Sequence, residues 1–327
     1  MKSKFMAWLQ LFRVPNLFTV PGDPLAGFFL AVRGDFGWVA PALAVTASLC
    51  FYSAGLLLND VADVRRDQTE RPDRPLPSGK VRRKTVVIIA VLLAAAGAFC
   101  CASLGPLASR MGLLLLAAIL LYDFGLKTVP IIGPLIMGSC RGLSLLLGAV
   151  AMPTASSLAP TVMMASVVLG LYIAVVTQLA RYETEPDRPG KIRSAHVGVL
   201  VAGMLAFLAL APPLESMAWL GFMGAFLTAI LLSLTVAYRL VLYPKKLAYV
   251  AEENWSIKSM DTLSDPMPRQ AVSFFPSVIG LLISNLIFIQ AAFCMSAGHH
   301  PAAFWTGVGL LVAWPVNRML SLRFYAS

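Results

Sequence analysis

The sequence predicts an all-α, polytopic membrane protein: a single bundle of transmembrane helices around a central cavity. Three observations carry that prediction. The 327-residue chain is 58% hydrophobic and only 13% charged, against about 25% charged in ordinary soluble domains. Its apolar residues are gathered in runs such as 38–58, 86–104, 112–121 and 279–297, which approach or reach the roughly 20 residues a helix needs to cross a ~30 Å hydrocarbon layer. Its Lys and Arg collect on alternate connections between those runs, the bias that orients membrane proteins.

Taken in order, hydropathy places ten spans at 15–32, 38–58, 85–104, 110–126, 129–151, 160–181, 195–211, 216–238, 274–297 and 301–320. The first also serves as the insertion signal, because the leading "MKSKFMAWLQLFRVPN" lacks both a continuous apolar core and a small-residue cleavage site. With the N-terminus inside, the cytoplasmic segments hold 23 of the 26 Lys and Arg residues. Outside lie Arg33 and Arg110, while Arg141 sits within the fifth span. The longest loop on the inner side is 240–273, and a bacterial-type inner membrane is the expected location. The net charge of +10 is therefore topology. Spread over several loops, it does not form the basic stripe that a nucleic-acid partner needs. Oligomeric state is left open.

The five cysteines (Cys50, Cys100, Cys101, Cys140, Cys294) all fall in apolar runs without a Cys-x-x-Cys spacing, so they read as small buried hydrophobes. His299 and His300 have no nearby carboxylates and read as loop residues, not a metal site.

The chemistry is concentrated in "LLLNDVADVRRDQTERPDRPLPSG", residues 56–79. If the second span continues as a helix past Leu58, Asp60, Asp63 and Asp67 fall within about 60° of one another, and Asn59 lies about 40° from Asp63. Carboxylates stacked this way repel, so something positive must sit among them. A hard divalent cation with oxygen ligands suits the array, and Mg²⁺ in particular is held by carboxylates together with substrate phosphates. The plainer alternative is a solvated helix end with surface ion pairs. A second acidic segment, "TQLARYETEPDRPGKIRS" (177–194), places Glu183 and Asp187 at i, i+4 on one face of a helix, although Pro186 and Pro189 interrupt helical continuity. Both segments follow long spans on the same predicted side, as two halves of a clamp for a metal–diphosphate complex would. Arg71, Arg74, Lys127, Arg141 and Arg181 are cations available to complete it.

"NDVADVRRD" followed by "RPDRPLPSG" resembles the first acidic motif of the UbiA superfamily of intramembrane prenyltransferases. Glu183-x-x-x-Asp187 resembles its second motif, with Glu in place of the usual Asp. "YDFGLK" resembles its Tyr/Lys element (Tyr122, Lys127), and "RVPNLFTVPGDPLAG" its first helix, with Arg13 and Asn16 near the mouth. The likeness covers roughly 10–210. It implies nine spans where hydropathy counts ten. It also implies Mg²⁺-dependent transfer of a prenyl group from an isoprenyl diphosphate to an aromatic or other lipophilic acceptor, through an allylic carbocation. On that resemblance Asn59, Asp60, Asp63 and Asp67 hold one metal and Glu183 with Asp187 another. Lys127, Arg74, Arg71, Arg181, Arg13 and Asn16 bind substrate, and Tyr122 orients it or faces the carbocation.

Arg141 reads equally as an anion ligand or as half of a structural pair. Asp123 is either a partner for Lys127 or a helix cap, Asp23 lies at a proline-flanked break, and Asn285 and Gln290 suit interhelical hydrogen bonds. Two other classes use membrane-embedded acids. A cation-coupled transporter places them near the midplane on broken helices, and a non-catalytic relative of the enzymes would retain the motif with Glu183 altered.

Overall fold

In the computed structural model, which describes residues 2–152, 159–181, 194–210, 216–257, 269–298 and 300–324, thirteen α-helices follow one another: α1 Lys2–Leu11, α2 Val14–Leu17, α3 Gly22–Ala31, α4 Val39–Glu70, α5 Arg83–Leu104, α6 Pro106–Leu121, α7 Ile132–Ala149, α8 Pro160–Arg181, α9 Ala195–Leu210, α10 Ser216–Ile257, α11 Arg269–Ser284, α12 Leu286–Ser296 and α13 Pro301–Phe324. A single π-helical turn, Tyr122–Leu126, extends α6. Among the described residues, seven segments are long and apolar enough to cross a bilayer, so this is a multi-pass integral membrane protein. Its outer surface agrees: Phe99, Leu113, Leu231 and Met319 are each more than 60% exposed. Such side chains face lipid, where their exposure carries no penalty.

Three sequence expectations change. The span expected at 15–32 is not one helix. Arg13 takes a left-handed backbone (φ 43°, ψ 56°), and the turn before Pro21, which has no N–H to donate, separates α2 from α3. The segment 240–273, expected as a loop, is helical through Ile257 as the continuation of α10. The ninth span is divided at Asn285, whose amide donates to Tyr172 Oη (3.2 Å), Ala229 O (3.0 Å) and Ser233 Oγ (3.1 Å). Asn285 thus makes the interhelical hydrogen bonds its sequence position predicts. With α9 only 16 residues long, ten unbroken spans are not what the helices form.

The extension of α4 positions the chemistry. At 32 residues it is about 48 Å long, so its polar last turns project beyond the hydrocarbon. Nothing breaks it before Arg71, which precedes Pro72 and leaves the helical region (φ −145°), as a residue before proline does.

The main core joins α3, α7, α8, α10 and α12 through Phe28, Leu145, Tyr172, Phe226 and Phe293. The segment Ser277–Ser296 is 83% buried and central, whereas α5 is 28% buried and peripheral. α3 and α7 cross closely enough to need glycine on both sides. A Cβ on Gly148 would lie 1.9 Å from Pro24 O, and one on Gly27 1.8 Å from Leu145 O. Gly148→Ala is therefore expected to destabilise by at least the ~1–3 kcal/mol typical of overpacking. Gly198→Ala, where nothing lies within 4 Å, should leave the thermal midpoint in detergent unchanged or slightly raised. Equal midpoints for the two variants would contradict the close crossing.

Candidate functional site

At the polar end of α4 each of the three carboxylates meets a cation from a different part of the chain. Arg13 Nη2 donates to Asp60 Oδ1 at 3.0 Å, Lys127 Nζ to Asp63 Oδ1 at 2.5 Å, and Arg74 Nη1 to Asp67 Oδ2 at 2.8 Å. Lys127 also reaches Asn59 Oδ1 at 3.4 Å. The inward stripe is real: Asp60 and Asp67 are buried and Asp63 is half-buried, while Arg65 and Arg66 are exposed. Like charges at helical spacing repel, and here the repulsion is relieved by cations brought from the α1–α2 junction, the π-turn and the loop after α4.

Local structure explains how the cations arrive. The left-handed residue at Arg13 is uncommon for a side chain other than Gly or Asn, and it aims the guanidinium at α4. The π-turn shifts the helical register, as such turns often do at functional sites. Lys127 N bonds back to Tyr122 O at 3.1 Å, and the Lys127 side chain reaches Asn59 and Asp63 on α4. Gly133, at the start of α7, abuts Leu126 O and Lys127 O, where a Cβ would lie 2.8 Å from each.

Below this mouth lies a cavity of about 250 Å³. Arg13, Asn16, Asn59 and Tyr122 line its entrance; Leu56, Leu115, Ile119, Ile173, Ile279 and Leu286 give it an apolar wall. Ser48, Tyr52, Gly55, Leu56 and Asn59 line it as one continuous α4 stripe, running into Asp60 and Asp63 at helical spacing. Tyr52 and Ser48 carried no motif, but their i, i+4, i+11 register with Asn59 was the available signal.

Arg141 also lines the cavity, with its charge already matched. Its Nε lies 3.0 Å from Asp23 Oδ2, an ion pair without hydrogen-bond alignment, and its Nη2 donates to Thr19 O at 2.7 Å. Gln290 donates to the same carbonyl at 2.7 Å and to Asp23 Oδ1. Thr19 lies in the break between α2 and α3, so a backbone carbonyl freed by the broken helix is satisfied by two side chains from α7 and α12. At membrane depth, irregular backbone must be satisfied in this way. The structural reading of Arg141 is thus supported, and its guanidinium also sits 5.8 Å from the Tyr52 ring centroid.

The remaining expected residues divide. Arg181 donates to Thr128 O (2.7 Å) and Val129 O (3.0 Å), joining the end of α8 to the α6–α7 connection. Arg71 is exposed beyond α4 and outside the cavity lining; its backbone N–H caps the helix at Asp67 O, 2.9 Å away. Glu183 and Asp187 lie outside the described residues. Among the described residues, no three acidic, thiol or imidazole side chains converge on one point. The His300 ring meets that of Phe36 at a tilt, with centroids 4.7 Å apart, and the five cysteines are free thiols.

Comparison with known proteins gives a consistent result. A digeranylgeranylglyceryl phosphate synthase of Ignicoccus hospitalis is 26% identical over 292 residues, covering 87% of this chain and 93% of that protein. One from Methanosarcina barkeri is 28% identical over 161 residues, where the match spans 46% of this chain and about half (56%) of the relative. A UbiA homologue from Archaeoglobus fulgidus, solved bound to GPP and Mg²⁺, superposes with a TM-score of 0.56 at 12% identity, covering 87% of this chain and 99% of that one. The model of the UbiA prenyltransferase family matches residues 24–254. The chain belongs to the UbiA prenyltransferase family.

Proposed function

We propose that this protein transfers a prenyl group from an isoprenyl diphosphate to a lipophilic acceptor and releases diphosphate. The observation that carries the reading is the ladder of three carboxylates, each matched by a cation, at the mouth of a largely apolar cavity. A donor of this class has the same two parts, a charged head and a hydrocarbon tail.

The donor set fits Mg²⁺ in kind: Asn59, Asp60, Asp63 and Asp67 offer hard oxygens and no nitrogen or sulfur. Arg13, Lys127 and Arg74 each hold a carboxylate oxygen of this set, on Asp60, Asp63 and Asp67 respectively. These three cations exchange carboxylate for phosphate oxygens when a diphosphate donor binds. Bound there, Mg²⁺ supplies Lewis-acid stabilisation of negative charge on the departing diphosphate. Lys127 and Arg74 bind diphosphate oxygens, with Arg13 and Asn16 at the entrance. Tyr122 presents its ring to the allylic carbon, where a π face stabilises developing positive charge. Apolar Leu115, Ile119 and Leu56 hold the tail and exclude water from the cation. Glu183 and Asp187, the second motif, would hold a second metal; Arg181, two residues before Glu183, donates to Thr128 O and Val129 O. Arg71, exposed past the end of α4, would meet the diphosphate on approach. Arg141 holds the cavity's inner wall. The distribution of Lys and Arg supports a cytoplasmic orientation of this mouth, in a protein that we assign to a cell inner membrane.

Purified protein with labelled geranyl diphosphate and a lipid acceptor is expected to release diphosphate only with Mg²⁺, and to stop when EDTA is added in excess. Activity that persists through EDTA would contradict the metal reading. The glyceryl lipid phosphate named for the archaeal relatives is the first product to seek.

A further inference from the structure

Asp123 is a buried carboxylate that donor binding leaves unused. It is 5% exposed, it lines the cavity, and its Oδ2 has no hydrogen-bond partner. Lys127, the partner its position in sequence invites, donates to Asn59 and Asp63 instead. Buried acceptor atoms are almost always paired, so an unpaired one on a cavity wall points to a ligand that donates to it. The π-turn sets Asp123 beside Tyr122, next to the expected position of the allylic carbon. Farther along the wall lie Ser48 and Ser144, whose hydroxyls are 2.6 Å apart. That lining suits an acceptor with a hydroxyl-bearing head.

We propose that Asp123 orients the acceptor's hydroxyl and removes its proton, an inference that rests on the prenyl-transfer reading. The C1–O bond to diphosphate breaks first, and the acceptor oxygen then forms its bond to C1 of the allylic cation. The electron pair of the broken bond leaves with diphosphate, and the acceptor's proton passes to Asp123 Oδ2. Nothing is oxidised or reduced. The substrate class that follows is a lipid alcohol or phenol, not an acceptor lacking an O–H.

The test uses full-length protein in detergent with Mg²⁺, labelled geranyl diphosphate, and either a glyceryl monoalkyl ether or an alkylphenol as acceptor. Asp123→Asn and Asp123→Ala are expected to lower kcat for transfer about 10²–10⁴-fold, the usual contribution of a positioned base. KM for geranyl diphosphate should stay within about threefold, because donor binding is untouched. Asp123→Glu should recover part of the rate, and added formate should recover part for Asp123→Ala. The proposal is overturned if the variants keep near wild-type kcat, if donor KM rises in step with the loss, or if formate and Glu both fail to restore rate. It is equally overturned if an active wild type transfers to neither hydroxyl acceptor. A wild type that neither binds geranyl diphosphate nor releases diphosphate contradicts the prenyl-transfer reading itself, a result distinct from all of these.

Discussion

Asp63→Asn is expected to lower prenyl transfer by at least about 10²-fold while the protein stays folded. Asp63 is the middle rung of the carboxylate ladder, between Asp60 and Asp67 on α4, and its side chain is one-fifth exposed at the cavity mouth. An amide keeps its shape and one acceptor oxygen, so Lys127 retains hydrogen-bond partners there and at Asn59. What is lost is a negative charge needed to hold a divalent cation on the leaving group. If that loss removes about 3 kcal/mol of the several that a metal contributes to the transition state, the rate falls about 10²-fold. Asp60→Asn should act alike, and so should Asp187→Asn if the second motif completes the clamp. Arg66→Ala is the control. Its pair with Glu70 is exposed and i, i+4, a contact worth about 0.3–0.5 kcal/mol, and transfer should be unchanged. The check is kcat and KM over a Mg²⁺ titration, with size-exclusion profiles to establish folding. An Asp63→Asn protein with wild-type kcat at saturating Mg²⁺ would remove α4 from the chemistry.

Asp23→Ala is expected to be the most damaging single change to stability away from the mouth. Asp23 is fully buried and faces Arg141 Nε at 3.0 Å. Removing it strands a cation in the interior, which typically costs about 3–5 kcal/mol, and also takes a partner from Gln290. Removing both charges relieves the imbalance. Asp23→Ala with Arg141→Met should therefore melt higher than Asp23→Ala alone, although Thr19 O would keep only Gln290 as a partner. Thermal unfolding in one detergent, with the two single variants and the double, measures the coupling. Additive losses would show that the pair holds nothing together.

What could be read from the chain alone follows from how local each feature is. The continuation of α4 to Glu70 was legible because no Pro or Gly interrupts 56–70, and the carboxylate stripe follows from helical spacing. That cations must sit among those carboxylates follows from charge, and the sequence offers Lys127 and Arg74. Arg13 was assigned to the mouth, but its pairing with Asp60, 47 residues away, depends on a left-handed backbone that no local pattern announces. The link of Arg141 to Thr19 spans 122 positions and that of Gln290 to Asp23 spans 267; only the packing of α3, α7 and α12 brings them together. Pro21 and Pro24 did mark the first span as irregular, yet hydropathy averages over a break of four residues. The opposite difference is at 240–257, where Pro244 and the polar residues read as a loop, although α10 continues to Ile257. Glu183 and Asp187 keep the standing of a sequence motif.

The central claim is that the charged mouth and the apolar cavity together perform one transfer. Its most direct test is stoichiometry in a single reaction: purified protein, Mg²⁺, geranyl diphosphate and a lipid alcohol, with diphosphate and prenylated lipid quantified from the same sample. Mole-for-mole appearance of the two, lost together in Asp63→Asn, is the predicted result. Failure of wild type to form a prenylated lipid, or formation of one that is insensitive to Asp63→Asn, would contradict it.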